Sequence, residues 1–346
     1  MNYLDRNEFN FAPSQLVIDT IRNFDLGKFC FYTRIYDQGK KSIFSVFLSE
    51  LFGIEEKRVI LGYGAEDILK NAVHYFLTKG SNNKMLIPKF SWWYYKSIAD
   101  EVDGVTVQYP VYESGDSFCY DMEGLRKMIA EEHPRILLIA SPNNPTGNGL
   151  TPEQLSQIMD MTERDTIVLV DEAYASYVSD DTSYIKRLVD GHPNVIISRT
   201  MSKFYGLPGL RMGFGFVSQS EEMERFCKYS NKYLGYDRLS EDVAIAALKS
   251  DDHYREIARV MDEARRMYKE ELGVLPGFTV YRSVANFILI KYPIGKKALL
   301  QAAFAEQEYK VKFLDEPDLN EHMRITLGRK EQNRKICDII LSVCKG

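Results

Sequence analysis

The sequence predicts an α/β protein: a large domain on a mostly parallel seven-stranded sheet, joined to a smaller α+β domain. Three observations lead there. The 346 residues exceed one ordinary domain. Up to about residue 240, short apolar runs recur between helical stretches, several without alternation, as in parallel strands covered on both faces. Beyond that point a long, charged stretch of helical period takes over and the strands thin out.

The strands of the large sheet are expected at residues 58–61, 84–88, 105–109, 135–140, 166–170, 194–198 and 212–217. Helices are expected between them at 65–78, 92–101, 121–132, 152–163 and 184–190, the alternation that right-handed crossovers require. Residues 239–271 read as one long helix. Strands at 279–282, 286–291 and 322–327 and helices at 296–306 and 330–343 follow. The large domain is thus expected to span residues 36–240, and the small one 1–35 with 241–346. The first 35 residues contain no clear sheet strand and are expected to pack on the small domain. No repeat, low-complexity segment or flexible linker is visible, so the two domains are expected to be tightly coupled.

Composition narrows the function. Hydrophobic residues at 45% and charged residues at 27% are ordinary for a soluble enzyme. A net charge of -5 argues against a nucleic-acid partner, which needs clustered Lys and Arg. Cys30, Cys119, Cys227, Cys337 and Cys344 are odd in number, scattered and without a paired spacing, which suits reduced thiols in a cytoplasmic protein. The histidines His74, His133, His192, His253 and His322 show no metal-ligand spacing. The opening residues carry no basic region followed by an apolar run, and no apolar stretch of about 18 residues exists, so neither a signal peptide nor a membrane span is expected.

Unusual segments fall at the predicted strand ends, where open parallel sheets bind ligands. Gly62-Tyr63-Gly64-Ala65-Glu66-Asp67 joins a strand to a helix and reads either as an anion-binding turn or as a tight turn before an acidic helix start. Ser141-Pro142-Asn143-Asn144-Pro145-Thr146-Gly147 is a rigid turn holding two amides, either a ligand grip or an Asx-turn. Asp171 ends a mostly apolar strand and needs a partner, since a buried unpaired carboxylate is costly. Lys203 follows a hydroxyl-rich turn and precedes a Gly/Pro loop that ends at Arg211, a setting unlike that of a solvated surface lysine.

These segments, in this order and spacing, resemble the fold-type-I pyridoxal-phosphate (PLP) aminotransferases of class I/II, and among them the histidinol-phosphate aminotransferase subfamily. The likeness runs from Asn7-Glu8 to Arg324-Ile325-Thr326-Leu327-Gly328. It implies PLP as cofactor, held by Lys203 as a Schiff base, with the freed amine then moving the substrate proton. It implies that Asp171 pairs with the ring nitrogen, that Asn144 and Tyr174 bond the phenolic oxygen, and that Phe90 stacks on the ring. The phosphate would take backbone N–H groups of Ala65 and Glu66, the hydroxyls of Thr200 and Ser202, and Arg211. Tyr36 would reach the phosphate of a neighbouring subunit, which requires a homodimer. Arg324 would grip the substrate carboxylate, with Asn7 and Tyr236 beside the substrate.

Three departures leave the substrate open. The subfamily carries a second arginine for the substrate phosphate in the segment before Arg324; here the aligned position holds Phe313, and a shift brings in Lys312. The chain begins almost at Asn7-Glu8, without the longer N-terminal arm expected of the subfamily. Residues 233–238 are richer in aromatics and charge than expected for a segment bordering the substrate. The expected activity is amino transfer between an amino acid, or an amino-alcohol phosphate such as histidinol phosphate, and a 2-oxo acid. A PLP decarboxylase or lyase on the same scaffold, similar to threonine-phosphate decarboxylases, is the alternative, and a non-catalytic PLP-binding module the third reading. A dinucleotide site is disfavoured, because Gly62-Tyr63-Gly64 lacks the third glycine and the downstream acid.

Overall fold

The computed structural model describes residues 1–230 and 236–345. It begins with β1 (Asn2–Leu4), α1 (Gln15–Arg22), α2 (Ile43–Phe52), β2 (Val59–Tyr63), α3 (Ala65–Leu77), β3 (Lys84–Pro88), α4 (Tyr94–Asp100) and β4 (Val105–Tyr109). A hairpin, β5 (Val111–Ser114) and β6 (Ser117–Tyr120), precedes α5 (Met122–Glu132), β7 (Ile136–Ala140), α6 (Pro152–Asp160), β8 (Ile167–Asp171) and α7 (Ser183–Gly191). Then come β9 (Val195–Thr200), β10 (Met212–Val217), α8 (Glu221–Ser230), α9 (Arg238–Leu248) and α10 (Asp251–Leu272). The chain closes with β11 (Thr279–Val280), β12 (Phe287–Lys291), α11 (Lys297–Glu306), β13 (Tyr309–Phe313), β14 (His322–Thr326) and α12 (Lys330–Lys345).

Seven strands form the large sheet in the order β2, β10, β9, β8, β7, β3, β4. All run parallel except β10, which is antiparallel to both of its neighbours. Strands β7 to β10 are buried along their whole length, which is why they carry apolar runs and not an alternating pattern. One face packs Ile68, Phe76, Ile98 and Phe226 of α3, α4 and α8 against Ile167, Leu169 and Ile196. The other packs Leu48, Leu125, Leu155, Leu188 and Val243 of α2, α5, α6, α7 and α9 against Val168, Val170 and Ile197. Each fully buried side chain of this kind contributes about 1.5–3 kcal/mol. The smaller sheet, ordered β1, β13, β14, β12, β11, shares a core with α10, α11 and α12.

The structure corrects three expectations. The first 35 residues do supply a strand: β1 pairs in parallel with β13, Asn2 opposite Tyr309 and Leu4 opposite Val311. Both strands were overlooked because each is short and only Leu4 and Val311 are buried. Residues 239–271 form two helices instead of one. The break falls at Lys249 and Ser250: the Ser250 hydroxyl turns back to the Ala246 carbonyl at 2.8 Å, and Asp251 and Asp252 open α10 in the first turn, where the helix dipole favours acids. The hairpin around Gly115-Asp116 was also unforeseen. Among the described residues no helix is long and apolar enough to cross a membrane.

Candidate active site

Strand direction gathers the segments singled out above. Strands β3, β7, β8 and β9 end on one edge at Pro88, Ala140, Asp171 and Thr200, while β2 ends there at Tyr63 and the reversed strand β10 starts there at Met212. Gly64, Phe90, Asn144, Asp171, Tyr174, Lys203 and Arg211 therefore share that edge. Strand β14 contributes Arg324, and the segment after β1 contributes Asn7.

Lys203 is half-buried. Its Nζ donates to the carbonyls of Arg6 at 3.1 Å and Asn7 at 3.3 Å, and it stands 5.9 Å from the centre of the Tyr174 ring. Tyr177 fixes its backbone by donating to the Lys203 carbonyl at 2.9 Å. Asn7 has a left-handed backbone (φ 56°) and is buried. Its Nδ2 donates to the Tyr174 hydroxyl at 2.9 Å, its N–H to Thr326 Oγ1 at 2.9 Å, and its carbonyl also accepts from Asn286 Nδ2 at 3.0 Å. One residue thus joins the lysine, the tyrosine and the small sheet.

Asp171 is 5% exposed. Its Oδ2 accepts from the Tyr95 hydroxyl at 2.6 Å and its Oδ1 from the Ala173 N–H at 3.0 Å. Burial raises its carboxyl above the usual value, against the opposing pull of the Tyr95 and Ala173 hydrogen bonds and the Lys203 charge. The side-chain hydrogen-bond partner of this buried acid, among the described residues, is thus Tyr95, which sequence reasoning missed. A tyrosine in an aromatic-rich helix reads as core, and only the hydroxyl's target distinguishes it.

The turn after β2 forms a cradle. Gly64 (φ 83°) precedes α3, and no side chain caps that helix. A Cβ on Gly64 would lie 2.7 Å from Arg211 Nη2, and one on Gly213 would lie 2.3 Å from the Gly64 carbonyl carbon, so both glycines are needed for the turn to lie against β10. Arg211 donates to the Tyr63 carbonyl at 3.2 Å and stands 3.5 Å from a Glu66 carboxylate oxygen, so the Glu66 side chain, expected to contribute only its backbone, also meets the arginine. Thr200 and Ser202 are buried alongside, their hydroxyls 2.9 Å apart. Ala65 opens α3 and Phe90, also left-handed (φ 56°), follows β3.

Arg324 donates from Nη1 to Asn144 Oδ1 and from Nη2 to the Asp5 carbonyl at 2.6 Å. Burial lowers its guanidinium below the usual value, and its Nε has no hydrogen-bond partner among the described residues. Strand register decides the neighbouring position. Lys312 lies directly opposite Arg324, so the two share a face, whereas Phe313 lies opposite Met323 and rests on Tyr292 and Phe304 at 5.8 and 6.2 Å. Phe313 is therefore half-buried and packs against the core of the smaller sheet.

Tyr36 lies in a short 3-10 turn (Ile35–Gln38), away from the residues above in sequence and half-buried. Tyr236 is buried with its ring 4.9 Å from that of Tyr63. Tyr233, Leu234 and Gly235 lie outside the described residues.

The family model for aminotransferase class I and II matches residues 4–340. The histidinol-phosphate aminotransferase of Ruminiclostridium cellulolyticum is 30% identical over 298 residues, which cover 86% of this chain and 80% of that one. Among solved structures, histidinol-phosphate aminotransferase from Sinorhizobium meliloti in complex with pyridoxal-5'-phosphate is similar with a TM-score of 0.84 at 21% identity, over 99% of this chain and 90% of that one. L-threonine-O-3-phosphate decarboxylase from Porphyromonas gingivalis superposes with a TM-score of 0.77 at 17% identity, over 100% of both chains. At these identities the two structures establish the shared fold.

Proposed function

The chain belongs to the class I and II aminotransferases, and from that premise we propose that the strand-end cleft around Lys203 is its active site. The protein is a PLP-dependent aminotransferase. The observation that carries the site is the arrangement around Asn7: Lys203 Nζ is held over Tyr174 by two carbonyls, next to the strand that ends in the buried carboxylate of Asp171.

The donor set suits the cofactor. The side-chain-uncapped start of α3, with Arg211 and two hydroxyls beside it, is an anion cradle for a phosphate, with N–H groups of Ala65 and Glu66. Asp171 would meet the ring nitrogen, Asn144 and Tyr174 the ring oxygen, and Phe90 a ring face. When bound, PLP withdraws electrons from the substrate α-carbon and carries the amino group between half-reactions. Lys203 would hold the cofactor through its amine, and its free Nζ would take the proton from the substrate α-carbon. Arg324 grips the substrate carboxylate; its half-buried guanidinium, with Nε unbonded among the described residues, gains from an incoming anion. Asn7 orients Lys203 and Tyr174 from the substrate side, and Tyr236 borders the same space.

Lys312 supports a substrate with a second anionic group, since it shares the face of Arg324. An amino-alcohol phosphate such as histidinol phosphate fits that face, with a 2-oxo acid as acceptor. Leu26, Phe29, Phe31 and Tyr32, exposed by 72, 55, 67 and 68%, form an apolar stretch beside Tyr36. A second copy of the chain would cover it and bring its own Tyr36 to the cradle. We also read residues 36–240 as the cofactor-holding domain, 1–35 with 241–346 as the substrate-side domain, and the enzyme as cytoplasmic.

The test is a panel of amino donors, including histidinol phosphate and aromatic and acidic amino acids, with the cofactor's conversion to its amine form followed by absorbance. Borohydride should fix the cofactor on Lys203, and Lys203→Ala should abolish turnover. Release of carbon dioxide without amine-form cofactor would replace amino transfer by decarboxylation. A cofactor fixed elsewhere would refute the site.

A further inference from the structure

Tyr95 lies at the centre of an observation the proposed roles leave unused. It projects from α4 into the core beneath the sheet edge, its ring 5.7 Å from that of Trp92, and its hydroxyl donates to Asp171 Oδ2 at 2.6 Å. Alternation along β8 explains the meeting. Ile167 and Leu169 face the α3/α4 side, and Asp171, two residues on, faces the same way.

An ionised carboxylate has about four lone-pair positions on its two oxygens. Ala173 N–H occupies one on Oδ1 and Tyr95 one on Oδ2, so the acid keeps acceptor capacity for a further donor. The surroundings otherwise disfavour its charge. Burial is the largest influence and raises the carboxyl, as does Glu172, while the Tyr95 hydrogen bond is the largest influence in the other direction, ahead of Ala173 N–H and Lys203. Tyr120, from β6, also feels the Asp171 charge but donates its own hydroxyl to the Ala140 carbonyl. Tyr95 is thus the one side chain hydrogen-bonded to this acid among the described residues.

We propose that Tyr95 is a positioning residue of the reaction, whose hydroxyl holds Asp171 in one orientation and in the ionised form that can pair with a protonated ring nitrogen. The inference rests on the reading of Asp171 as the ring-nitrogen partner. It gives Tyr95 no contact with substrate; the residue acts through Asp171.

The test uses the full-length enzyme stripped of cofactor and retitrated with PLP. Tyr95→Phe, Asp171→Asn and the double variant are compared by dissociation constant and by the pH midpoint of cofactor binding. Tyr95→Phe removes one oxygen and keeps the ring in the core. It should weaken PLP binding by about ten-fold or more, the size of one hydrogen bond to a charged group. It should also move the acid midpoint to higher pH, because the carboxyl loses its strongest stabilising partner. In the Asp171→Asn background the same change should cost far less. A fluorinated tyrosine at position 95, a stronger donor of nearly the same shape, should move the midpoint to lower pH. If Asp171→Asn weakens binding and Tyr95→Phe does not, the role of Tyr95 is overturned and that of Asp171 stands. An equal loss in both backgrounds makes Tyr95 merely structural and overturns the proposal. If Asp171→Asn itself leaves PLP binding unchanged, the reading of Asp171 falls, and Tyr95 with it.

Discussion

Replacing Glu172 by Gln should destabilise the protein far more than a surface change would. Glu172 and Arg199 form an ion pair at 2.8 Å whose side chains are only 1% and 7% exposed. Tyr184 closes the group, donating to the other Glu172 oxygen at 2.7 Å and accepting from Arg199 Nη2 at 3.2 Å. Burial opposes the Arg199 charge, but Glu172 and Tyr184 outweigh it and hold the guanidinium above its usual value. The glutamine variant therefore strands a charge that stays on. Breaking a buried pair in this way costs about 3–5 kcal/mol, a large part of the roughly 5–15 kcal/mol that holds a protein folded. Urea denaturation of the cofactor-free protein, followed by circular dichroism, measures the loss. Replacing Glu172, Arg199 and Tyr184 together by Leu, Met and Phe should recover most of it, since apolar side chains of similar volume substitute well for a buried pair. A loss below about 1 kcal/mol, the level of a surface ion pair, would refute the reasoning, as would a triple variant less stable than Glu172→Gln alone.

Other expectations are equally concrete. Gly213→Ala, whose Cβ would meet the Gly64 carbonyl carbon at 2.3 Å, should displace the cradle turn; calorimetric titration should find PLP affinity falling by an order of magnitude or more, alongside a stability loss of about 1–3 kcal/mol. Burial raises Glu241 from 4.5 to about 7, so its contribution is present below pH 4.5 and lost as pH rises towards about 7. Glu241→Gln should accordingly be more stable than the parent above that pH, by about 2–4 kcal/mol, with the gain vanishing in acid; urea midpoints across pH test this. Lys312→Met should raise KM for a phosphate-bearing donor several-fold while leaving donors with a single carboxylate unchanged, whereas Phe313→Leu should lower thermal stability and leave KM alone. Tyr36→Phe should weaken PLP binding without changing the sedimentation of the assembled enzyme.

The large sheet was legible because its strands are buried on both faces, which forces apolar runs such as those of β7 and β8. The strands that escaped notice are short and carry little buried surface: β1 has one buried residue, and β13 interleaves Lys310 and Lys312 with a single buried valine. Lys203, Asp171, Asn144 and Arg211 stood out because rigid turns and strand ends leave local marks. Tyr95 left none, since its importance lies in a hydroxyl meeting an acid 76 positions away. Asn7 was only faintly visible for the same reason, its partners lying as far off as Thr326. Which of Phe313 and Lys312 shares the face of Arg324 turns on a one-residue shift that exchanges the two faces of a strand, and only pairing with β14 fixes it.

The hold of Asn7 on Lys203 also dictates when the site comes into being. Residues 6 and 7 are made long before residues 309–311, in which β1 finds its partner, and Asn7 meets Thr326 further still along the chain. Arg324, too, is made after every strand of the large sheet. The large sheet can form with Lys203, Asp171 and the turn at Gly64 while synthesis continues, but the docking of the Arg6 and Asn7 carbonyls on the lysine and the placing of Arg324 beside Asn144 wait for β13 and β14. A nascent chain can therefore carry a folded large sheet before the proposed site is assembled.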